Sequence, residues 1–402
     1  MTRRAPITLL VLCLAALTAL AVPATAHPPD PEPAPASQGE SPDIAVGMII
    51  RGSDGLEVVR TRAPSVAAAR QRLRALSGEL GPVLAADAEV TLRTLQQEPE
   101  RERQWALDTL EAERAWTITQ GDGVVIGVLD SGADPGHPDL REALVPGVDL
   151  LDPSTQGLVD PNGHGTAVAS VAGARLNGIG MAGLAPSASI MPLRVVNQEG
   201  LATSTDAAEG VIWAADHGAD VVNISLGVAH SSAVLATAID YAVDAGVTVV
   251  AAAGNYGTEG NPVTYPAALP NVIGVSATDA SDAPATFSNS GDWVDLAAPG
   301  TDLVTATAGG GWSLASGTSL SAPLVSASAA LLRAQTPGLD PATIRSTLLE
   351  TATDVHTPGR DPQTGEGLVS PANALSASPA VPGLVPALLD RVGADPVSDP
   401  TR

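Results

Sequence analysis

The sequence predicts an α/β fold of three layers, in which a mostly parallel sheet lies between helices, preceded by a small α+β domain. Three observations support this prediction. From residue 124 onward, short apolar runs alternate with longer segments of helical character. The apolar runs have no polar face, which is typical of parallel strands that are buried on both sides. Gly218 and Gly246 stand where two of the helices are expected to end.

Each element of the large domain follows from its own pattern. The predicted strands are the apolar runs 124–129, 190–196, 221–226, 247–252 and 272–275. The predicted helices have apolar residues at helical spacing and cover 167–174, 206–217, 233–245 and 320–334. Because strands and helices alternate, each helix can connect two parallel strands, and such units build a parallel sheet.

The composition fits one large domain and a small one. Of the 402 residues, 44% are hydrophobic but only 2% are aromatic, so small and β-branched aliphatic side chains must fill the core. The net charge is −24, and residues 104–380 carry 29 acidic residues against 7 arginines. So negative a chain is a poor partner for nucleic acid or for an anionic membrane surface.

Residues 1–26 have the pattern of a secretory signal peptide. Arg3 and Arg4 precede an apolar run over 7–22, and residues 24–26 offer a small-residue cleavage site. An uncleaved membrane anchor is the alternative, but the run is short for a span. The sequence therefore predicts a secreted protein with no stable membrane anchor. The single cysteine, Cys13, lies in this leader, so the mature chain would have no disulfide.

Four segments follow the leader. Residues 27–42 contain six prolines and are expected to form an extended linker. Residues 43–103 are expected to form the small α+β domain, with strands over 44–50 and 90–92 and a helix over 66–80. The large domain covers 104–376, and a proline-rich tail covers 377–402. The charged stretch 98–103 is expected to be exposed and cleavable.

Three short motifs supply the parts of a nucleophilic catalyst. They are Asp130-Ser131-Gly132, His164-Gly165-Thr166 and Gly317-Thr318-Ser319. A serine hydroxyl needs a base to take its proton, and that base needs a carboxylate to hold its tautomer. Taken alone, Ser319 would be a helix cap and Asp130 a turn residue. The three together favour Ser319 as nucleophile, His164 as general base and Asp130 as the group that orients it.

Five segments of the chain together resemble those of the subtilisin-like serine proteases, the subtilase family. They are 124–132, 163–169, 225–227, 252–255 and 317–323, and the resemblance runs from about residue 104 to about residue 374. The order acid, base, nucleophile is also that of subtilisin. Two residues depart from the family pattern, since Leu320 replaces a common methionine and Ser321 a common alanine. Neither departure puts a catalytic role in doubt.

The resemblance implies further site residues. Asn255 would donate from its side-chain amide to the oxyanion, together with the backbone N–H of Ser319, although asparagine after a glycine is also common in turns. Two walls would enclose the substrate side chain before the scissile bond, and their small residues imply a roomy, mostly apolar slot. The walls are Ser225, Leu226 and Gly227 on one side and Ala252, Ala253 and Gly254 on the other.

A structural calcium ion is also implied by the resemblance. Its ligands would include Gln104, Asp139 and Asn177, which occupy the matching positions, and oxygen ligands of this kind suit calcium. Asp139 taken alone fits a turn residue equally well. The resemblance implies no cofactor for the chemistry itself, and the sequence has no His/Cys cluster of the kind that binds zinc.

The leading interpretation is a secreted, bacterial-type serine endopeptidase that is made as a zymogen and acts on polypeptides as a monomer. The resemblance makes 43–103 a propeptide that helps the enzyme fold and inhibits it until it is cut, and it places the mature N-terminus near Gln104. Two alternatives stay open. One is a maturation protease of narrow specificity resembling the mycosins, although the chain shows no C-terminal membrane anchor and no disulfide pairs. The other is a silent peptide-binding scaffold, against which the intact triad argues.

Overall fold

The computed structural model describes residues 44–52, 55–65, five positions within 68–75, residues 83–88 and residues 98–378. The chain divides into two compact units, residues 1–89 and 90–402. The predicted signal peptide, the linker and most of the C-terminal tail lie outside the described residues. So does the predicted strand over 90–92.

The smaller unit contains a three-stranded antiparallel sheet. Its strands are β1 (Ile44–Gly52), β2 (Gly55–Ala63) and β3 (Val83–Ala88), in the order β2-β1-β3. The predicted strand over 44–50 is confirmed as β1. All five described positions within the predicted helix 66–80 are helical. The hairpin partner β2 and the strand β3 were not predicted.

The larger unit is built on a seven-stranded sheet in which every strand pair is parallel. The strand order is β10-β9-β8-β7-β4-β6-β5. The strands are β4 (Val125–Asp130), β5 (Val148–Asp149), β6 (Ser189–Arg194), β7 (Val221–Ile224), β8 (Thr248–Ala252), β9 (Val272–Thr278) and β10 (Leu296–Pro299). This sheet confirms the predicted α/β class, and all five predicted strands are present. A separate hairpin pairs β11 (Leu303–Ala306) with β12 (Trp312–Ala315).

Eight α-helices are described in the larger unit. They are α1 (Trp105–Thr109), α2 (Ala112–Trp116), α3 (His164–Gly173), α4 (Ser204–Asp216), α5 (Ala233–Asp244), α6 (Thr318–Gln335), α7 (Pro341–Glu350) and α8 (Pro371–Ala377). The four predicted helices are α3 to α6. Side-chain caps fix where several of them begin, as where Thr203 accepts a hydrogen bond from the N–H of Asp206. In the described part of the chain, no helix is long and apolar enough to cross a membrane.

The two large clusters of the core lie on opposite faces of the sheet. Ile126 and Val128 of β4 pack in the same cluster as α3 and α6. Leu129 of the same strand packs with Val211 of α4 and Ile239 of α5. Because successive strand residues point to opposite faces, the two clusters give the three predicted layers. The buried residues of α6 include four alanines and three serines, whose small side chains let the helix pack closely against the sheet.

Three neighbouring strands end at the same edge of the sheet. Asp130 is the last residue of β4, Ser225 follows β7 and Ala252 is the last residue of β8. The order β8-β7-β4 makes these strands adjacent. Ligands of open parallel sheets bind beyond the carboxyl ends of the strands, so the fold brings the predicted site residues together.

Candidate active site

The acid and the base meet at the end of β4 and the start of α3. Asp130 is fully buried, and its carboxylate accepts a hydrogen bond from the N–H of Ser131 at 2.7 Å. Nδ1 of His164 lies 2.8 Å from each carboxylate oxygen of Asp130. An N–H at Nδ1 leaves Nε2 unprotonated, and an unprotonated Nε2 can accept a proton.

A close backbone contact holds this pair in place. Gly165, the second residue of α3, lies against the backbone of Gly132, and a Cβ atom at Gly165 would collide with the Gly132 carbonyl oxygen. The N–H of Gly165 donates to the Ser131 hydroxyl at 2.9 Å. Gly165 therefore lets the turn after β4 touch the start of α3, and Gly132 leaves room for the carbonyl oxygen of Val159.

A second carboxylate, Asp160, supports the start of α3 and was not predicted. One oxygen accepts from the Ser131 hydroxyl at 2.8 Å and from the N–H of Gly163 at 2.7 Å. The other accepts from the N–H and the hydroxyl of Thr166 at 2.7 and 2.6 Å. A negative charge suits a helix N-terminus. In the sequence, the position of this aspartate four residues before the histidine could have indicated its role.

These charges act on the proton affinity of the base. The carboxylate of Asp130 raises the pKa of His164 above its usual 6.5, burial opposes this shift, and the more distant charge of Asp160 adds to it. An imidazolium is favoured by nearby anions because it is the charged form.

The raised pKa of His164 predicts how the reaction rate depends on pH on the acidic side. His164 accepts a proton only when neutral, so kcat/KM of any reaction in which it is the base should rise with pH through a midpoint above 6.5. Asp160→Asn removes one of the charges that raise this pKa, so the midpoint should move to lower pH. The pH dependence of kcat/KM for both proteins is the measurement. An unchanged midpoint would show that the Asp160 charge does not reach His164.

Ser319 lies at the start of α6, in the same cleft as His164. The cleft has a volume of about 310 Å³, and both residues line it. The Ser319 hydroxyl donates to the carbonyl oxygen of Ser225 at 3.3 Å, and in the described structure no hydrogen bond joins it to His164. A catalytic hydrogen bond of this kind often forms only in the complex with substrate.

Asn255 is oriented by the residue before the serine. Its side-chain oxygen accepts from the N–H and from the hydroxyl of Thr318, both at 2.9 Å. These bonds direct the side-chain NH₂ group away from Thr318, and a Cβ atom at Gly317 would lie 3.2 Å from it. The donor therefore stands beside the N-terminus of α6, where backbone N–H groups lack helical partners. Together they can stabilise a developing negative charge.

Five of the six predicted wall residues line the cleft. Ser225, Leu226 and Gly227 form one side, and Ala252 and Gly254 lie on the other. Ala253 is fully buried behind the cleft, and its N–H donates to the carbonyl of Val275 at 2.8 Å. Its side chain therefore does not line the slot.

The floor between the walls is formed by Thr264, which was not predicted. Its side chain lines the cleft and is 3% exposed. A Cβ atom at Gly227 would overlap the Thr264 methyl group, and one at Gly254 would lie 2.9 Å from the hydroxyl. The hydroxyl also accepts from the side-chain amide of Asn289 at 2.9 Å. The slot is consequently shallower than its small walls suggested. No motif marks Thr264, because its role arises only where two distant loops meet.

The three predicted calcium ligands lie in or beside one loop, residues 176–182, and each of them makes hydrogen bonds there. Gln104 donates to the carbonyl of Ala182 at 2.7 Å and accepts from its N–H at 3.0 Å. The side-chain oxygen of Asn177 accepts from the N–H of Ile179 at 2.9 Å. One oxygen of Asp139 accepts from Met181 and from the indole of Trp312. The other is buried without a partner and would suit a cation.

Part of this loop presents its backbone N–H groups to a carboxylate. The N–H groups of Gly178, Ile179 and Gly180 point to the carboxylate of Glu98, at 2.7, 3.1 and 3.3 Å. Calcium requires six to eight oxygen ligands, backbone carbonyls among them, and one side-chain oxygen of Asp139 has no hydrogen-bond partner. Within the described residues, no group of three or more His, Cys, Asp or Glu could hold a metal ion. The N–H groups of this loop bind a carboxylate, and the predicted calcium site stays a prediction.

Known proteins share this arrangement of sequence and fold. The profile of the subtilase family, Peptidase_S8, matches residues 121–367. The chain is 42% identical over 241 residues to the thermophilic serine proteinase of Bacillus sp. (strain AK1), and the aligned part covers 59% of each chain. It is 39% identical over 251 residues to thermitase of Thermoactinomyces vulgaris, covering 62% of this chain and 88% of thermitase.

A solved structure agrees with these sequence matches. The structure of a protease from Pseudoalteromonas arctica superposes with a TM-score of 0.64 at 30% identity, covering 71% of this chain and 99% of that one. The chain thus spans about 59% of the length of the first of these relatives and nearly all of the solved structure. With its matching profile, parallel sheet and ordered motifs, the chain belongs to the subtilase family of serine proteases.

Proposed function

We propose that this protein is a serine endopeptidase that hydrolyses peptide bonds through Asp130, His164 and Ser319. The observation that carries the proposal is the contact of His164 with Asp130 at 2.8 Å, in a cleft that Ser319 also lines. A buried carboxylate paired with an imidazole beside a serine is the arrangement that activates a hydroxyl.

The proposed reaction has two halves. Ser319 Oγ attacks the peptide carbonyl carbon while its proton moves to Nε2 of His164, and Asp130 stabilises the resulting imidazolium. The amide of Asn255 and the N–H of Ser319 donate to the oxyanion. The tetrahedral intermediate then breaks its C–N bond, and His164 gives the proton to the leaving amine. A water, deprotonated by His164, hydrolyses the acyl-enzyme and frees Ser319.

The remaining parts of the proposal rest on the sequence and the family. Residues 1–26 would direct secretion, and the unit that contains β1 to β3 would be the propeptide, which helps the enzyme fold and inhibits it. The substrates would be polypeptides, held as an added strand between the segments at 225–227 and 252–254. The enzyme would act as a monomer and need no cofactor for its chemistry.

Labelling by a fluorophosphonate tests the proposed nucleophile. Oγ of an activated serine displaces fluoride from phosphorus, so the protein should gain one adduct that peptide mass spectrometry places on Ser319. Ser319→Ala should gain none, and His164→Ala should be labelled far more slowly because the base is missing. Ser154→Ala, an exposed serine outside the cleft, is the matched control. Equal labelling of the Ser319→Ala variant would show that Ser319 is not the nucleophile, and a wild-type protein that gains no adduct would favour the scaffold alternative.

A further inference from the structure

The segment Glu98–Arg103, just before the predicted mature N-terminus, is built into the larger unit. Glu98 is 2% exposed although it is a glutamate. Its carboxylate accepts three backbone hydrogen bonds from residues 178–180. In the other direction, the N–H of Glu100 donates to the carbonyl of Gly180 at 2.8 Å. The two segments therefore hold each other through side chain and backbone.

A second set of contacts extends this attachment. The guanidinium of Arg101 lies 2.6 Å from Asp108 of α1 and 2.5 Å from Glu113 of α2. Arg101 is 14% exposed, while both carboxylates are mostly in solvent, so each pair contributes little alone. The two ion pairs of Arg101 matter for geometry, because they fix the path of the chain between Glu98 and α1. Of the stretch that the sequence predicts to be exposed, Pro99, Glu102 and Arg103 are exposed, whereas Glu98 is buried.

The chemistry of the loop selects an anion. Successive backbone N–H groups that converge on one point form an anion-binding nest. Hydrogen bonds from N–H groups to an ionised carboxylate are about twice as strong as neutral ones. A buried carboxylate is costly unless it is satisfied in this way. Glu98 meets this condition with three donors.

We infer that the carboxylate of Glu98 closes the 176–182 loop in place of a metal ion, and that the mature enzyme keeps Glu98. Removal of the N-terminal unit would then cut the chain upstream of Glu98 rather than at Gln104. A cut at Gln104 would remove the only anion that these three N–H groups bind in the described structure. The statement on processing rests on the proposed function, whereas the statement on the loop does not.

Thermal unfolding tests the loop in a background that cannot digest itself. All proteins carry Ser319→Ala, so the outcome does not depend on catalysis. In this background the melting temperature should be the same in EDTA and in millimolar calcium. Glu98→Gln should lower it by about 3–8 °C, because a neutral amide loses the charge and turns an NH₂ group toward N–H donors. Glu199→Gln, an exposed residue of the same unit, should change it by less than about 1 °C.

Two results would overturn the inference on the loop. One is a melting temperature that rises with calcium in the Ser319→Ala parent and no longer rises when Asp139→Asn is added, which would establish a metal site. The other is an unchanged melting temperature for Glu98→Gln. If Glu98→Gln does not fold at all while Glu199→Gln does, the same conclusion follows as from a lowered melting temperature.

The intact mass of the processed active protein tests the second part of the inference, that the mature enzyme keeps Glu98. We expect an N-terminus at or before Glu98, and an N-terminus at Gln104 would contradict the retention of Glu98. If the active chain is never processed, the zymogen part of the proposed function fails, and the melting experiment still decides the role of Glu98. The two failures are therefore distinguishable.

Discussion

Replacing Ser319 with alanine should lower the turnover of a peptide substrate by about a million-fold, the size of the effect in the relative subtilisin. The reason is that no acyl-enzyme can form without the hydroxyl, and what remains is binding and the oxyanion donors acting on water. His164→Ala should lose about as much, and the double variant should lose no more, because the groups act as one unit. Turnover of a peptide anilide, with folding checked by circular dichroism, is the measurement.

A graded comparison separates the triad from the oxyanion donor. Asn255→Ala leaves the nucleophile and base in place and removes one donor, so it should lose only about 100- to 1000-fold, again a magnitude known from subtilisin. Ser154→Ala should keep full turnover because it lies outside the cleft. If the losses of Ser319→Ala and His164→Ala multiplied in the double variant, the two residues would not be working as a unit, and the proposed mechanism would be wrong.

The fold was predictable because its strongest signals are local. Apolar runs such as the one that forms β4 and the helical spacing of α4 and α5 can be read along the chain without knowing what packs on them. The strands that were not predicted in the larger unit are short, for example the two residues of β5 and the four of β10. A run of this length shows no periodicity, and its neighbours in the sheet decide that it is a strand.

The site residues also fall into two groups, those that a local motif identifies and those that only the folded structure identifies. Asp130, His164, Asn255 and Ser319 stand in motifs of adjacent residues, and the structure places all four around one edge of the sheet. Glu98, Asp160 and Thr264 carry no such motif. Glu98 acquires its role from backbone N–H groups at residues 178–180, and Thr264 from the glycines at 227 and 254. Contacts between distant segments depend on the fold, so they could not be predicted from single residues that stand in no motif.

Thr264 leads to an expected preference for small side chains before the scissile bond. The carbonyl carbon must lie at Ser319 Oγ with its oxygen toward Asn255, so the adjoining side chain enters the slot between Gly227 and Gly254. The methyl and hydroxyl groups of Thr264 fill the floor of that slot. An alanine side chain needs none of this space, whereas a phenylalanine ring does. We expect the wild-type enzyme to favour alanine over phenylalanine at this position.

Thr264→Gly should shift this preference by removing the floor. We expect kcat/KM for a phenylalanine substrate to rise by about 10- to 100-fold, in line with the discrimination that a few buried carbon atoms provide, while the value for alanine changes little. Thr264→Val is the matched control, since it keeps the branched shape and should keep the wild-type preference. Asn289 keeps its bond to the carbonyl of Pro262 at 2.8 Å in either variant, so the loop retains support. A wild-type enzyme that already cleaves after phenylalanine as well as after alanine would show that Thr264 yields to the substrate and does not set its size.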